Sequence, residues 1–134
     1  MTIVEQERES AAQLANALHF ERNPIRAVHL MVESFGLEQR QVATACSTSV
    51  SSVSEWLSGS EERSPHQRER ILELAYVIFS MLATRSISIG RAREWLTSPI
   101  DHFLGEAPLT AIAAGDFLRV AETGKDFATG RLPV

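Results

Sequence analysis

Four histidines, one cysteine and one adjacent Asp–His pair are the residues of this 134-residue chain whose types could do metal or covalent chemistry. Their spacing argues against both. His19, His29, His66 and His102 are scattered without metal-ligand spacing, and Cys46 has no second cysteine for a disulfide or a CxxC site. Asp101 and His102 are neighbours, which seldom face one another, and the chain has no GxSxG, SxxK or HExxH pattern. Glu61 and Glu62 lie in the polar run GSEERS, where a charge pair is ordinarily just solvated. The expectation is a chain that is not an enzyme and holds neither metal nor cofactor.

The chemistry of recognition is better represented. Residues 37–59 read LEQRQVATACSTSVSSVSEWLSG, two short helical patterns separated by a polar turn at Ser47 and Thr48. A helix-turn-helix lays its second helix in the major groove while the first crosses the phosphate backbone, which requires a small residue inside the first helix and a tight turn. Ala43 is that small residue, Val42 and Cys46 are apolar partners, and Ser49 suits the N-cap of the second helix. At roughly 100° per residue, Val53, Trp56 and Leu57 hold the second helix to the body. Val50, Ser51, Ser54 and Glu55 then fall on the opposite side and are the candidate base-reading residues. Serine hydroxyls meet donors or acceptors on base edges, valine packs on a thymine methyl, and glutamate accepts from cytosine N4. Phosphate contacts are expected from Gln39 and Arg40, from Ser49, and from Arg63, Arg68 and Arg70 beyond the reading helix, with Arg26 a weaker candidate.

The elements that must position these residues are helical. Apolar residues recur at three-, four- and seven-residue steps and no stretch alternates over strand length, so the fold class expected is all-α. A first helix runs over about 4–20 with Val4, Ala11, Leu14, Ala15 and Leu18 on one face. Asn23 caps and Pro24 opens a second, which Gly36 ends. Ser64–Pro65 starts a long helix with Ile71, Leu74, Ala75, Val77, Ile78, Phe79, Met81 and Leu82. That apolar face is too broad for a surface helix, so it is either central or buried in an oligomer, and it is the best candidate for a dimer contact. Short helices follow over about 90–97, from Pro108 to Ala114, and from Phe117, the last capped by Asp116, with Gly124 and Gly130 loosening the tail. Trp56 and Trp95 lie within apolar patterns and read as core anchors. The organisation is an N-terminal helix over 1–22, a DNA-binding unit over 23–85 and a partner-binding region over 86–134.

Composition narrows the class further. With 44% apolar and 22% charged residues the chain is globular. Thirteen basic against seventeen acidic residues give a net charge of −4, which removes the broad basic field of an obvious nucleic-acid binder, so any DNA contact comes from local clustering. The polar, glutamate-rich first ten residues do not suit a signal peptide, and no apolar run approaches the roughly 20 residues that span a bilayer. A soluble protein of the reducing cytoplasm, without membrane contact, is expected.

Two family resemblances attach to these residues. The stretch 37–59, through Gln39, Ala43, Ser49, Val53, Trp56 and Ser58–Gly59, resembles the lambda-repressor-like, or Xre-like, helix-turn-helix. It departs from that family at Val50, Ser51 and Glu55, where members often carry Gln, Arg or Lys; a dimer on a palindrome, not a single copy, is then expected to bind DNA usefully. Further on, Ala92–Arg93–Glu94–Trp95–Leu96, Pro99, Leu104–Gly105, Pro108–Leu109, Ile112, Gly115–Asp116–Phe117 and Val120 resemble the toxin-binding domain of Xre/MbcA/ParS-type antitoxins.

The resemblance implies a type II antitoxin that binds its own operator, as a homodimer on double-stranded DNA, and neutralises a RES-domain toxin that consumes NAD. It also implies that Leu104, Pro108, Leu109, Phe117, Arg119, Lys125 and Arg131 serve toxin binding. The acidic excess of the C-terminal region would complement a basic toxin cleft. The alternatives are a free-standing helix-turn-helix repressor, such as a phage immunity repressor, a helix-turn-helix used only as a scaffold, and a C-terminal region that merely caps the core.

Overall fold

The computed structural model describes residues 2–60 and 64–132, and among them every regular element is helical, as the all-α expectation requires. The elements are α1 (Ile3–Phe20), α2 (Pro24–His29) running into a π-helical turn (Leu30–Ser34), α3 (Gln39–Ala45), α4 (Val50–Leu57), α5 (Pro65–Leu82), α6 (Ile89–Thr97), a 3₁₀ turn (Asp101–Phe103), α7 (Pro108–Ala113) and α8 (Phe117–Ala128).

Local chemistry starts most of them. Thr2 Oγ1 accepts from Glu5 N, Asn23 Oδ1 from Ile25 N, Ser64 Oγ from Gln67 N and Ser88 Oγ from Arg91 N, and prolines 24, 65 and 108 begin α2, α5 and α7. Each cap satisfies an amide that the first helical turn leaves without a partner. After α2 the chain widens by one residue. Phe35 N bonds Leu30 O at 2.9 Å and Leu37 N bonds Met31 O at 3.0 Å, which brings Met31, Phe35 and Leu37 together into the interior. Gly36 then reverses the chain at φ +92°, a conformation that disfavours any Cβ. From α6, Arg93 Nη1 donates to Phe35 O at 3.0 Å and closes this end.

α5 is the hub: it packs against α1 on one side and α8 on the other, and also touches α2, α3, α6 and α7. Its broad apolar girth is therefore covered inside the chain. The dimer contact expected from that breadth loses its argument, since only Leu72, Tyr76 and part of Phe79 remain outward. The buried cluster runs continuously from Ala11 in α1 to Ala128 in α8, so residues on both sides of position 85 share one core. Trp56 and Trp95 are both buried in it.

Three local expectations are corrected. Val4 is 52% exposed, because the buried face of α1 begins only at Ala11. Asp116 stands before α8 but caps nothing, and its carboxylate instead takes Arg119 Nη1 at 3.3 Å. Gly124 does not loosen a tail; it lies buried within α8, facing Met81 and Trp95. Among the described residues no helix is long and apolar enough to cross a membrane.

Candidate nucleic-acid interface and partner surface

α3 starts where Glu38 N donates to the Gln41 side chain at 2.9 Å, and it turns Val42, Ala43 and Ala45 inward. Cys46 and a residue in the left-handed region, Ser47 at φ +55°, reverse the chain, with Thr48 N bonded to Ala43 O at 3.0 Å. Ser49 Oγ then accepts from Ser52 N at 3.1 Å and starts α4. The turn is braced from below by the C-terminal part of the chain, where Ser47 Oγ donates to Ala113 O at 3.3 Å and α3 lies against α7.

α4 buries Val53 and Trp56, half-buries Leu57, and presents Val50, Ser51, Ser54 and Glu55 to solvent. The four candidate base-reading side chains therefore share one free face of one helix, with no ion pair on Glu55 among the described residues. Two hydroxyls, one carboxylate and one methyl-bearing side chain are equipped to meet base edges.

The candidate phosphate contacts divide. Gln39, Arg40 and Arg68 are exposed, as is Arg26. Arg40 Nε pairs with Glu38 Oε2 at 2.6 Å, but both side chains are solvated, and such a pair contributes at most about 1 kcal/mol, so a phosphate could displace the carboxylate. Ser49 Oγ is engaged as the α4 cap. Arg63 lies outside the described residues. Arg70 is corrected: its side chain is only 17% exposed and turns inward onto Glu73, itself 10% exposed, beneath the Gly115 turn. A guanidinium held by a carboxylate at the foot of α7 does not reach a DNA backbone.

The charges of the same inward pair are felt at Cys46. Burial pushes this thiol up to about 12, with the Arg70 charge opposing and the Glu73 charge adding to the rise. A thiol held protonated in this way is not a nucleophile. Among the described residues no three His, Cys, Asp or Glu side chains gather as a metal site would require.

The seven residues assigned to partner binding also divide. Leu104 is 95% exposed, and Arg119, Lys125 and Arg131 are on the surface. Phe117 is half-buried, edge-on to Tyr76 with ring centroids 6.1 Å apart. Pro108 and Leu109 are corrected: both are buried beneath α7, where they fix α7 in the core and offer nothing to a partner.

Sequence reasoning missed the fixture that shapes this surface. Arg119 Nη2 donates to His102 O at 2.9 Å while its guanidinium lies 4.5 Å above the Phe103 ring, so the start of α8 is fastened to the 3₁₀ turn. An aromatic residue sixteen positions before an arginine carries no local signal of such a contact. Leu118, 63% exposed beside Phe117, is a further surface residue that helical spacing reveals, since it falls off the Val120–Ala121 stripe.

No family model and no curated protein matches the chain. Among solved structures, a chain in the crystal structure of the M. tuberculosis MbcT–MbcA toxin–antitoxin complex is similar, with a TM-score of 0.66 and 24% sequence identity. The match takes in 81% of this chain and 96% of that one, and it establishes a shared fold.

Proposed function

We propose that this chain is the antitoxin of a type II toxin–antitoxin pair, which binds its own operator through α3 and α4 and neutralises a partner toxin through its C-terminal layer. The likeness to a chain of a toxin–antitoxin complex carries the reading, because a match over 81% of this chain is too long for the part up to α5 or the part after it to supply alone. The arrangement of α4 supports the DNA arm, since a helix anchored by Val53 and Trp56 leaves Val50, Ser51, Ser54 and Glu55 on one free face.

The toxin is proposed to be of the RES type that consumes NAD, with this chain contributing no cofactor and no catalytic group. A homodimer on a palindromic operator, in the cytoplasm, completes the reading. With Arg70 held inside the chain, Gln39, Arg40 and Arg68 are the side chains that each copy offers to phosphates among the described residues, alongside the exposed Ser49 hydroxyl, and so short a set is why two copies are needed for useful affinity.

The test is co-purification of the tagged chain with the products of its neighbouring genes, followed by an NAD-consumption assay with and without it. A stoichiometric protein partner whose NAD loss this chain blocks is the expected result. Recovery of a clean dimer that binds a defined DNA fragment and has no protein partner would overturn it in favour of a free-standing repressor.

A further inference from the structure

The segment between α6 and α7 is a closed loop built around one leucine. Gly105 N bonds Ile100 O at 3.0 Å, Leu104 N bonds Asp101 O at 2.9 Å, and Ile100 N returns to Glu106 O at 3.2 Å. Arg119 fastens the loop to α8 through the His102 carbonyl and the Phe103 ring. Phe103 turns in and is buried, whereas Leu104 turns out and is 95% exposed at φ +56°.

The left-handed backbone ends the 3₁₀ turn and closes the loop, but a leucine side chain at that position has no use inside the chain. A leucine in the left-handed region bears a conformational cost that glycine would not, and asparagine bears less of it. Nothing in the core repays that cost, because the side chain is almost wholly in solvent. A strained residue persists where its surroundings over-determine it, and here the strain holds a large apolar group clear of a rigid support. Asp101 and Glu106 flank it in solvent, and among the described residues neither pairs with a cation. The neighbouring arginine, Arg119, is already held by Asp116, His102 and Phe103.

We propose that Leu104 is the anchor by which this chain docks on its toxin, entering an apolar pocket whose rim carries lysine or arginine side chains that meet Asp101 and Glu106. The inference rests on the antitoxin reading and narrows it: of the seven residues assigned to toxin binding, this one dominates. A preformed loop brings its anchor to the partner already ordered, so little entropy is lost on docking. Burying one leucine side chain corresponds to roughly tenfold to a hundredfold in affinity.

Calorimetric titration of the purified neighbouring-gene product with the full chain and with Leu104→Gly, Leu104→Asn, Leu104→Met and Leu104→Lys tests it. Glycine and asparagine fit the left-handed backbone, so both variants should melt at or above the temperature of the unaltered chain while binding roughly tenfold to a hundredfold more weakly. Methionine should retain affinity to within about threefold, because it still fills an apolar pocket, and lysine should abolish binding. Glycine and asparagine variants that bind as tightly as the unaltered chain would overturn the inference and leave the antitoxin reading standing. An unaltered chain that does not bind the product would overturn both. A photo-crosslinking residue at position 104 that captures a second copy of this chain, and not the product, would also overturn the anchor.

Discussion

A Cβ placed on Gly124 would lie 2.8 Å from Met81 Cγ and 3.0 Å from Met81 Sδ, with Trp95 Cζ3 at 3.3 Å. Here α8 lies so near α5 that any side chain at position 124 requires Met81 to shift. Glycine inside a helix costs about 1 kcal/mol relative to alanine, so intrinsic preference alone would favour Gly124→Ala. Packing decides otherwise: overfilling a tight core costs about 1–3 kcal/mol, and Met81 is wholly enclosed. Gly124→Ala should therefore lower the thermal midpoint. A midpoint that is unchanged or raised would show that the two helices move apart freely.

Arg70 and Glu73 make a second prediction. Removing one partner of a buried pair leaves an uncompensated charge and costs about 3–5 kcal/mol, whereas replacing both by apolar residues of similar volume is often neutral. Glu73→Ala should be strongly destabilising in denaturant unfolding, and Arg70→Met combined with Glu73→Leu should recover most of the loss. Because Arg70 turns inward, the double replacement should leave the salt dependence of the proposed DNA binding unchanged. Arg68→Ala should make that dependence shallower by about one unit of slope. A slope that falls with the double replacement instead would return Arg70 to the phosphate backbone.

What sequence made legible follows from how far each determinant reaches. The caps at Asn23, Ser49 and Ser64 involve partners two or three residues away, so residue type and order reveal them. The outward face of α4 is legible for the same reason, since Val53 and Trp56 fix the phase of a single helix. Arg70 and Asp116 are misread although their partners Glu73 and Arg119 lie only three residues away, because residue order does not say which of several nearby groups a side chain takes. Gly124 is misread because Met81 and Trp95 come from other helices. An arginine after a candidate reading helix looks available until Glu73 and the Gly115 turn are found against it, and a glycine near the end of the sequence looks loose until Met81 is found against it. Pro108 and Leu109 show a further limit, since a family pattern marks buried and exposed positions alike.

Cys46 adds a pH dependence whose sign follows from burial. The thiol rises from 9.0 to about 12 in the folded chain, chiefly because the interior disfavours a thiolate. Below pH 9 the group is protonated in both the folded and unfolded chain and stability is independent of it. Between pH 9 and about 12 the unfolded chain ionises first, so stability should fall as pH rises through that window. Cys46→Ala should flatten this part of the profile, at the cost of a small cavity. At pH 8 a thiol reagent should modify Cys46 only at the rate at which the chain opens, and prompt stoichiometric modification of the folded protein would contradict the burial.

The α4 face yields the prediction that decides whether α3 and α4 read DNA or serve only as a scaffold. Ser51 and Glu55 are exposed, and surface substitutions away from caps and buried partners usually change stability by no more than about 0.5 kcal/mol. Ser51→Ala and Glu55→Ala should therefore leave the thermal midpoint in place. Base contacts contribute about 1–3 kcal/mol of discrimination each, so both changes should weaken binding to the fragment upstream of the gene roughly fivefold to 150-fold and relax its sequence preference. Val53→Ala supplies the contrast, because it opens a cavity beneath α4 and should lose stability and binding together. Gel-shift titrations at one fixed salt concentration separate the cases. If Ser51→Ala and Glu55→Ala both bind like the unaltered chain, α4 does not read bases, and the unit is a scaffold for the C-terminal layer.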